Sequence, residues 1–333
     1  MWPGQRPALR ANQVKTTLRR AALIYNPASG QYSARREAAV RETAAGLREA
    51  GVQAVVLETN GLGSGSVRAR EAVQQGCDAV IACGGDGTVH EAAQALVGTD
   101  AALGVLPLGT ANAFAADLGL LVPPAEVARK LLTATPTRVP VGRIHYTDRS
   151  GAPASRYFVV AAGVGPDALL MYRLDSRLKR RLGYVLYLIE ATRIWATHPF
   201  PLFTIQVAEN GNGAAQTLDV SQLLAVRVRS FGGALRQLAP GANLHNTHLQ
   251  LIAFRTRSRL QYMRFLLGVL AGRHRFNGPV QLLEASSVEC RSPQGSPTRL
   301  FVEADGEILG SLPARLEVVR DALTLLVPQG AEP

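Results

Sequence analysis

The sequence predicts a chain of two parts, an α/β domain followed by an all-β domain. In the first 135 residues, short apolar runs alternate with helical segments, which is typical of βαβ units and of a mostly parallel sheet covered on both faces. After about Val139 the segments become short, β-rich and interrupted by Gly, Pro and Asn, which predicts an antiparallel β domain. A chain of 333 residues that is 47% hydrophobic and 18% charged is long enough to form two hydrophobic cores.

The elements of the first part follow from local signals. Short apolar runs predict strands over residues 20–26, 52–59, 77–83 and 102–107. Helical spacing and terminal glycines predict helices over residues 34–51, 67–76, from 88 onward, and 111–118. The loops NPASG, ETNG, GGDGT and LGTAN follow the four strands in turn. Because ligands bind at the carboxyl ends of the strands in such sheets, the four loops predict one binding edge.

The second part is expected to contain short strands and one long helix, near residues 174–197. The strands are predicted in RVPVGRIHYT, RYFVVAAG, FPLFTIQVAE, SQLLAVRVRS, HLQLIAFR, PVQLLEASSVEC and RLFVEADG. The last stretch, LEVVRDALTLLVP, fits either a final hairpin or a strand that returns to the first domain, and the pattern does not decide between them.

Composition excludes several classes of protein. No apolar segment reaches the 18 residues that a membrane span needs, so none is expected. Residues 1–18 are basic and lack the apolar centre of a secretion signal, and we expect a flexible leader there. Cys77, Cys83 and Cys290 form no CxxC pair, which indicates a reducing compartment and a cytoplasmic protein.

The net charge of +11 raises the question of an anionic partner. Residues 249–283 contain six arginines and no acid, and residues 171–195 mix Arg177, Lys179, Arg180 and Arg181 with large apolar side chains. These stretches fit either the solvated face of a core helix or a surface that contacts anionic lipid headgroups. Nucleic acid is disfavoured because no recognisable binding module accompanies the charge.

The stretch GGDGTVHE, residues 84–91, carries the strongest functional signal. A glycine-rich turn between a strand and a helix points several backbone N–H groups, and the positive end of the helix dipole, at one place that suits a phosphate. Thr88 and Glu91 have the spacing of a capping box, so a structural role for them is at least as well supported as ligand contact. Asp86 would repel a phosphate unless a metal or a substrate hydroxyl lies between them, which indicates Mg²⁺ binding or proton transfer.

Other nucleotide and metal motifs are absent or weak. The chain has no GxxxxGK[ST] sequence, which excludes a P-loop. GVGPDA, residues 163–168, imitates a dinucleotide fingerprint but is followed by the basic segment instead of a short βαβ return. The HNTH sequence, residues 245–248, fits surface polar residues better than a metal site because it offers only two ligands.

Several segments together resemble the diacylglycerol kinase catalytic family, in particular its bacterial lipid kinases. They occur in the family's order and spacing between about residues 20 and 328: IYNPASG, GGDGTVHEAA, LPLGTANAFAADLG, AAGVGPDA, LGYVLYLIEATRIW, LAPGANL and VEADGE. The resemblance implies a three-layer α/β nucleotide-binding domain like that of phosphofructokinases and NAD kinases, and a C-terminal antiparallel β-sandwich. It also implies that the last strand returns to the first domain, so that residues 19–138 and about 315–330 form one domain and 139–314 the other.

The resemblance implies an ATP-dependent lipid kinase that transfers the terminal phosphate to the hydroxyl of a lipid such as diacylglycerol or a sphingoid base. It further implies ATP and Mg²⁺ as cofactors and a peripheral contact with anionic membrane, and it leaves a homodimer open. A small-molecule kinase such as a NAD kinase, and a catalytically silent binding protein, are the alternatives. The residues that would hold the nucleotide lie in the four loops: Asn26, Pro27, Ala28, Ser29, Gly30, Thr59, Gly84, Gly85, Asp86, Gly87, Thr88, Val89, His90 and Thr110.

The proton acceptor is expected in EADGEIL, residues 303–309. Asp-Gly is also a common hairpin dipeptide, so spacing alone leaves an exposed turn equally open. By resemblance to the family we expect Glu307 to accept the proton of the lipid hydroxyl, Asp305 to orient the acceptor or the metal, and Asp86 to assist. Replacing Glu307 or Asp305 by its amide is expected to lower turnover with little change in melting temperature.

One position departs from the family pattern. The family usually carries an aspartate within an L-x-D-G-x-L segment, which is associated with a structural Mg²⁺, whereas this chain has Asn246 there. A neutral amide is a poorer ligand than a carboxylate for a hard divalent cation. We therefore expect the β domain to lack a tightly held Mg²⁺.

Overall fold

The structure is a computed structural model, and it describes residues 18–27, 33–61, 63–166, 168, 192–193, 195–208, 216–229, 231, 238–273, 278–293 and 299–331. Three sets of predicted features lie outside these residues. They are most of the leader, the loop residues Ala28, Ser29 and Gly30, and the basic segment with Arg177, Lys179, Arg180 and Arg181.

The first part is a parallel sheet in the strand order β4-β3-β1-β2. Its strands are β1 (Arg20–Tyr25), β2 (Gln53–Glu58), β3 (Ala79–Gly84) and β4 (Ala102–Pro107). All six residues of β3 are buried, as expected for a central strand with both faces covered. The helices are α1 (Ser33–Glu49), α2 (Ser64–Gln74), α3 (Asp86–Leu96), α4 (Ala113–Asp117) and α5 (Pro124–Leu132).

The second part is antiparallel and forms a sandwich around its own core. Its elements are β5 (Thr135–Thr147), β6 (Pro153–Phe158), β7 (Ala161–Val164), β8 (Phe203–Ala208), β9 (Gln216–Val220), β10 (Gln222–Val226), β11 (Leu249–Phe254), α6 (Arg259–Leu270), β12 (Val280–Ala285), β13 (Ser287–Arg291), β14 (Phe301–Ala304) and β15 (Glu307–Val327). One layer has the strand order β12-β11-β10-β7-β14-β15, and β15 also pairs with β13, which continues through β8 to β9. Side chains from both layers, such as Val164, Leu251, Phe203 and Val288, meet in one apolar cluster.

The long strand β15 joins the two cores. Its first residues pair with β14, while Thr324 and Leu325 pair in parallel with β4 of the first part. Val318 packs against the sandwich core and Val319 against the core of the parallel sheet. The register with β5 shifts just after Val319, where Asp321 has a positive φ of 46°. We therefore propose the domain partition inferred from the sequence, with the return to the first domain at residue 319 instead of 315.

Helices in the described ranges are all too short or too polar to cross a membrane. The three cysteines are unpaired and buried, so they contribute to the cores as small apolar side chains.

Candidate active site

Loops from four parallel strands meet at one edge of the sheet. Asn26 and Pro27 follow β1, Thr59 follows β2, GGDGT follows β3, and LGTAN follows β4. Thr59 is held next to the end of β1, because its amide donates to the Tyr25 carbonyl at 2.9 Å. An open cleft of about 630 Å³ lies at the ends of β1 and β2, and its lining includes Asn26, Pro27, Thr59 and Arg68. Its volume is within the range of ligand sites.

The GGDGT and LGTAN loops are packed backbone against backbone. A Cβ atom added to Gly109 would lie 2.5 Å from the Cα of Gly85, which leaves no room for a side chain there. One added to Gly85 would lie 3.2 Å from the Cα of Gly109, a crowded contact. Asn112 maintains this arrangement: its side chain accepts from the Gly109 amide at 2.8 Å and donates to the Gly109 carbonyl at 3.0 Å. Asn112 itself has a positive φ of 48°, a conformation that asparagine tolerates better than most residues.

Asp86 binds the backbone of the neighbouring loop. Its two carboxylate oxygens accept from the amides of Ala113 at 3.1 Å and Phe114 at 3.0 Å, the first residues of α4. Burial raises the pKa of Asp86, whereas these hydrogen bonds lower it and the charge of Asp305 raises it further. Each oxygen retains acceptor capacity, because a carboxylate can accept about four hydrogen bonds. Asp86 therefore has a structural role and can still meet a ligand.

The predicted capping box at Thr88 and Glu91 is wrong. Helix α3 begins at Asp86 with Gly85 as its N-cap, so Thr88 already lies inside the first turn. The Glu91 carboxylate instead accepts from the amides of Gly63 at 2.9 Å and Gly65 at 2.7 Å, at the start of α2. The carboxylate thus satisfies the free N–H groups of a different helix, which sequence spacing within α3 does not reveal.

The other predicted residues of this loop face different environments. Gly87 is exposed, and a Cβ added to it would meet no atom within 4 Å. Thr88 is half-buried and Thr110 is exposed, whereas Val89 and His90 are buried. The structure therefore leaves Gly87 and Thr110 open to a ligand and places the Val89 side chain in the core.

Asp305 is the most enclosed acid of the site. It has a positive φ of 48° in the turn before β15, and its side chain is 0% exposed. Its oxygens accept from the amides of Val159 at 2.9 Å, Val160 at 2.8 Å and Ala161 at 3.0 Å, and pair with Nδ1 of His90 at 2.9 Å. With three amides and one imidazole around it, the carboxylate has hydrogen-bond partners on both oxygens inside the protein.

His90 connects Asp305 to Glu307. Its Nε2 has no hydrogen-bond partner among the described residues and lies 3.8 Å from Oε2 of Glu307, whose side chain is 26% exposed. Burial lowers the pKa of His90, but the hydrogen bond to Asp305 and the charges of Asp305 and Glu307 outweigh it, so the pKa lies above the usual value for histidine. Of the two acids in the DGE sequence, Glu307 is the one that reaches solvent.

Sequence reasoning missed three features of this site. It placed His90 in the nucleotide loop and did not connect it to Asp305, which is 215 residues away. It did not include Asn112, although asparagine is a favoured turn residue and ends the LGTAN loop. It also omitted Arg68, a cation in the lining of the cleft whose guanidinium donates to the Glu58 carbonyl at 3.1 Å and pairs with the Glu71 carboxylate at 2.9 Å.

The altered loop at Asn246 carries no carboxylate ligand. The side-chain amide of Asn246 donates to the Gly241 carbonyl at 2.7 Å, and Nε2 of His248 lies 3.6 Å from the Glu284 carboxylate. In the part of the chain that the structure describes, no three His, Cys, Asp or Glu residues are grouped as a metal site. The HNTH sequence therefore does not form one with described neighbours.

Comparison with known families agrees with this geometry. Residues 20–144 match the model of the diacylglycerol kinase catalytic domain, and residues 159–327 match the YegS C-terminal NAD kinase beta sandwich-like domain. The chain is 33% identical over 310 residues to a protein of Chromohalobacter salexigens named "Probable lipid kinase YegS-like", covering 88% of this chain and 89% of that one. The chain belongs to the diacylglycerol kinase family. The family and fold class predicted from the sequence are thereby confirmed.

Two further members extend the comparison. The family member from Bacillus subtilis named diacylglycerol kinase is 25% identical, over 94% of this chain and 97% of its own length. A crystal structure of a diacylglycerol kinase from Bacillus anthracis aligns with a TM-score of 0.67 and 17% identity, over 95% of this chain and all of that one. The latter likeness extends to the fold of both parts.

The hydrogen bonds of Asp305 change what a substitution there should do. We expect Asp305→Asn to lower the free energy of unfolding by about 3–5 kcal/mol, because an amide cannot accept from three backbone N–H groups as an anion does, and a buried charged partner is lost. Glu307→Gln, two residues away, should change it by less than about 0.5 kcal/mol because that side chain is partly solvated. Urea unfolding of both variants measures the difference, and equal stability of the two would contradict the role given to Asp305.

Proposed function

We propose that the protein is an ATP-dependent lipid kinase that transfers the terminal phosphate of ATP to the hydroxyl of a lipid such as diacylglycerol or a sphingoid base. One observation supports the proposal most directly. Glu307 is a partly exposed carboxylate with no hydrogen-bond donor among the described residues. It lies beside His90 of α3, the helix that begins in the GGDGT turn. A general base must be accessible to its substrate, and the partial exposure of Glu307 meets this condition.

The residues at the strand edge fit a nucleotide. The N-terminus of α3 supplies free N–H groups and positive dipole potential, and Gly87 leaves open space in front of them. We propose that the triphosphate lies against GGDGT and Thr110, with Asn26, Pro27 and Thr59 on the cleft side and Arg68 as an additional cation. The predicted contacts at Ala28, Ser29 and Gly30 remain predictions.

Mg²⁺ bound with the nucleotide would neutralise charge on the phosphates. Asp86 is the acid that fits this role, since its oxygens keep acceptor capacity and lie at the start of α3. Its two hydrogen bonds to α4 would fix its direction, so that the GGDGT and LGTAN loops respond together to the ligand.

The protein's own groups would then handle the proton. We infer that Glu307 accepts the proton of the attacking hydroxyl. The buried pair of Asp305 and His90 would orient the Glu307 side chain through the nearby His90 ring. Asp305 is the positioning residue in this arrangement, because all its described partners are backbone amides and His90. Phosphoryl transfer depends mainly on such positioning and on charge neutralisation.

We further propose that the enzyme works on the cytoplasmic side through reversible contact with anionic membranes. The three buried thiols support a reducing compartment, and the excess of arginine supports attraction to anionic lipid.

Nucleotide binding is tested by Gly87→Ala. The added methyl meets no protein atom and suits a helical position, so the melting temperature should be unchanged or slightly higher. If phosphate approaches the backbone here, the affinity for Mg-ATP should fall roughly tenfold to a hundredfold. Thermal shift or calorimetric titration with Mg-ATP measures this affinity, and an unchanged affinity in Gly87→Ala would contradict phosphate binding at this position.

Gly85→Asp should abolish the binding of Mg-ATP in the same titration, because it adds bulk and negative charge at the crowded crossing of the two loops.

Phosphate transfer is tested on a panel of acceptors with the parent and Glu307→Gln. The panel contains diacylglycerol, sphingosine, ceramide, monoacylglycerol, polyprenol and NAD, which separates lipid kinase from NAD kinase activity. Loss of the base should lower turnover on the order of a hundredfold to ten-thousandfold, with unchanged affinity for Mg-ATP. Near-parental turnover by Glu307→Gln would move the base elsewhere, and transfer to NAD alone would overturn the lipid assignment.

A further inference from the structure

Helix α6 is apolar on two opposite faces. Its inner face packs on the β domain: Tyr262 stacks on Phe254 with ring centroids 4.6 Å apart, and Phe265 meets the same ring edge-on at 5.1 Å. Val269, on the same face, is buried. These contacts account for the attachment of the helix, and they leave the apolar side chains of the opposite face unexplained.

The outer face presents leucines to solvent. Leu260 is 78% exposed and Leu267 is 57% exposed, and with the half-buried Met263 they recur at positions i, i+3 and i+7. This spacing places them on one side of the helix, together with exposed Arg264. An ordinary surface helix carries polar residues there, so a contiguous apolar stripe indicates an interaction surface.

The charge around the stripe selects the partner. Four exposed arginines lie on or next to α6, and the sequence from 249 to 283 contains no acid. They are Arg257, Arg259, Arg264 and Arg273. Trp195 joins the same region, because its indole donates to the Arg259 carbonyl at 3.0 Å. Exposed leucines, arginines and a tryptophan with no acid are the composition of a helix that lies in the interface of an anionic bilayer.

We propose that the outer face of α6, defined by Leu260, Met263, Arg264 and Leu267, is the surface that docks the protein on anionic membranes. The proposed lipid kinase activity explains why the protein would bind membranes, and the inference rests on that activity for this reason alone. It adds a specific surface to the predicted membrane contact, one that does not include the basic residues Arg177, Lys179, Arg180 and Arg181.

Vesicle binding tests this surface with the full chain. The probes are vesicles of phosphatidylcholine alone and vesicles with about one third phosphatidylglycerol. The parent should bind only the anionic vesicles, and less at high salt. Leu260→Gln with Leu267→Gln should lower the partition coefficient by about tenfold or more, and Arg264→Gln by about fivefold. Leu121→Gln, at a leucine that is 56% exposed elsewhere, should bind as the parent does.

Other results would overturn the inference. Parental binding by the double leucine variant would do so, as would a loss of binding confined to the Gln variant at Arg177, Lys179, Arg180 and Arg181. A dimer that the leucine changes dissociate without affecting vesicle binding would assign the stripe to a second copy of the chain. Activity on a short-chain lipid in micelles should survive the leucine changes. An inactive parent that still binds vesicles through α6 would overturn the proposed function and support the docking surface.

A second, independent observation concerns Arg227. This arginine is 1% exposed, and its guanidinium donates to four backbone carbonyls: Asn246 at 2.7 Å, His248 at 3.0 Å, Leu244 at 2.7 Å and Pro140 at 3.0 Å. Burial lowers its pKa to about 10, so it remains a cation at neutral pH. Three of the carbonyls belong to the loop in which the family resemblance implies a structural Mg²⁺.

The loop does not fit a divalent ion. Backbone carbonyls and a carboxylate are the ligands that such an ion would use, but here the carbonyls accept from a guanidinium and the carboxylate is replaced by Asn246. The side-chain amide of Asn246 also donates to the Gly241 carbonyl. An aspartate carboxylate facing that carbonyl would need a cation between the two acceptors. We infer that Arg227 is the permanent cation of this loop and makes its fold independent of divalent metal.

The position of Arg227 links the loop to the active site. Its amide donates to the Val160 carbonyl at 2.9 Å, and the Val160 amide donates to Asp305 at 2.8 Å. A loop that is stable without metal therefore supports the segment that holds Asp305.

Metal dependence of stability tests the inference. The purified parent should contain no stoichiometric divalent metal after dialysis, and its melting temperature should be the same in EDTA and in Mg²⁺. Arg227→Ala should lower the melting temperature by roughly 5–10 °C, because four carbonyls lose their donor. In Arg227→Ala with Asn246→Asp, millimolar Mg²⁺ should restore most of this loss and EDTA should reverse it, whereas Arg227→Ala alone should not respond.

The parent measurements stand even where a variant fails to fold. Bound divalent metal in the parent, or a melting temperature that EDTA lowers, would overturn the inference. A double variant that folds and shows no metal response would also overturn it, because the emptied carbonyl loop would then not be a cation site. Activity is not needed for any of these readouts.

Discussion

Asp305 holds together three parts of the chain that are far apart in sequence. Its carboxylate binds the amides of Val159, Val160 and Ala161 at the start of β7, and it pairs with His90 from α3. The turn before β15 is thereby attached both to the β-sandwich and to helix α3. Burying a carboxylate costs free energy unless its oxygens accept hydrogen bonds. A displacement of any of the three parts would break some of these bonds, so the arrangement keeps the parts in place.

The position of Glu307 follows from that attachment. Glu307 is two residues after Asp305 at the start of β15, where it reaches solvent beside His90. The same strand later crosses to the parallel sheet and pairs with β4. One strand thus begins at the proposed base and ends in the core that supports the proposed nucleotide loops, so the two parts of the candidate site share one strand.

Backbone binding distinguishes acids that look alike in the sequence. Asp86 orders the start of α4, Glu91 orders the start of α2, and Asp305 orders the start of β7. The Glu307 side chain makes no such backbone contact among the described residues, which is why we propose it, and not Asp305, as the base. Backbone contacts also distinguish Arg227 from the other cations. It is buried among backbone carbonyls, which indicates a structural role that its sequence position does not reveal.

Local signals in the sequence determined the alternation of strands and helices and the four strand-end loops, because apolar periodicity and glycine-rich turns depend on near neighbours. The family followed from the resemblance of several short segments that occur in its order and spacing. Only the tertiary structure decided the partners of the charged groups. His90 and Asp305 are 215 residues apart, and the Glu91 carboxylate caps α2 instead of its own helix. Hydrogen bonds of this kind depend on the distance between folded segments, which spacing along the chain does not encode. The sequence therefore indicated the acids of the candidate site, and only the fold decided which groups they bind.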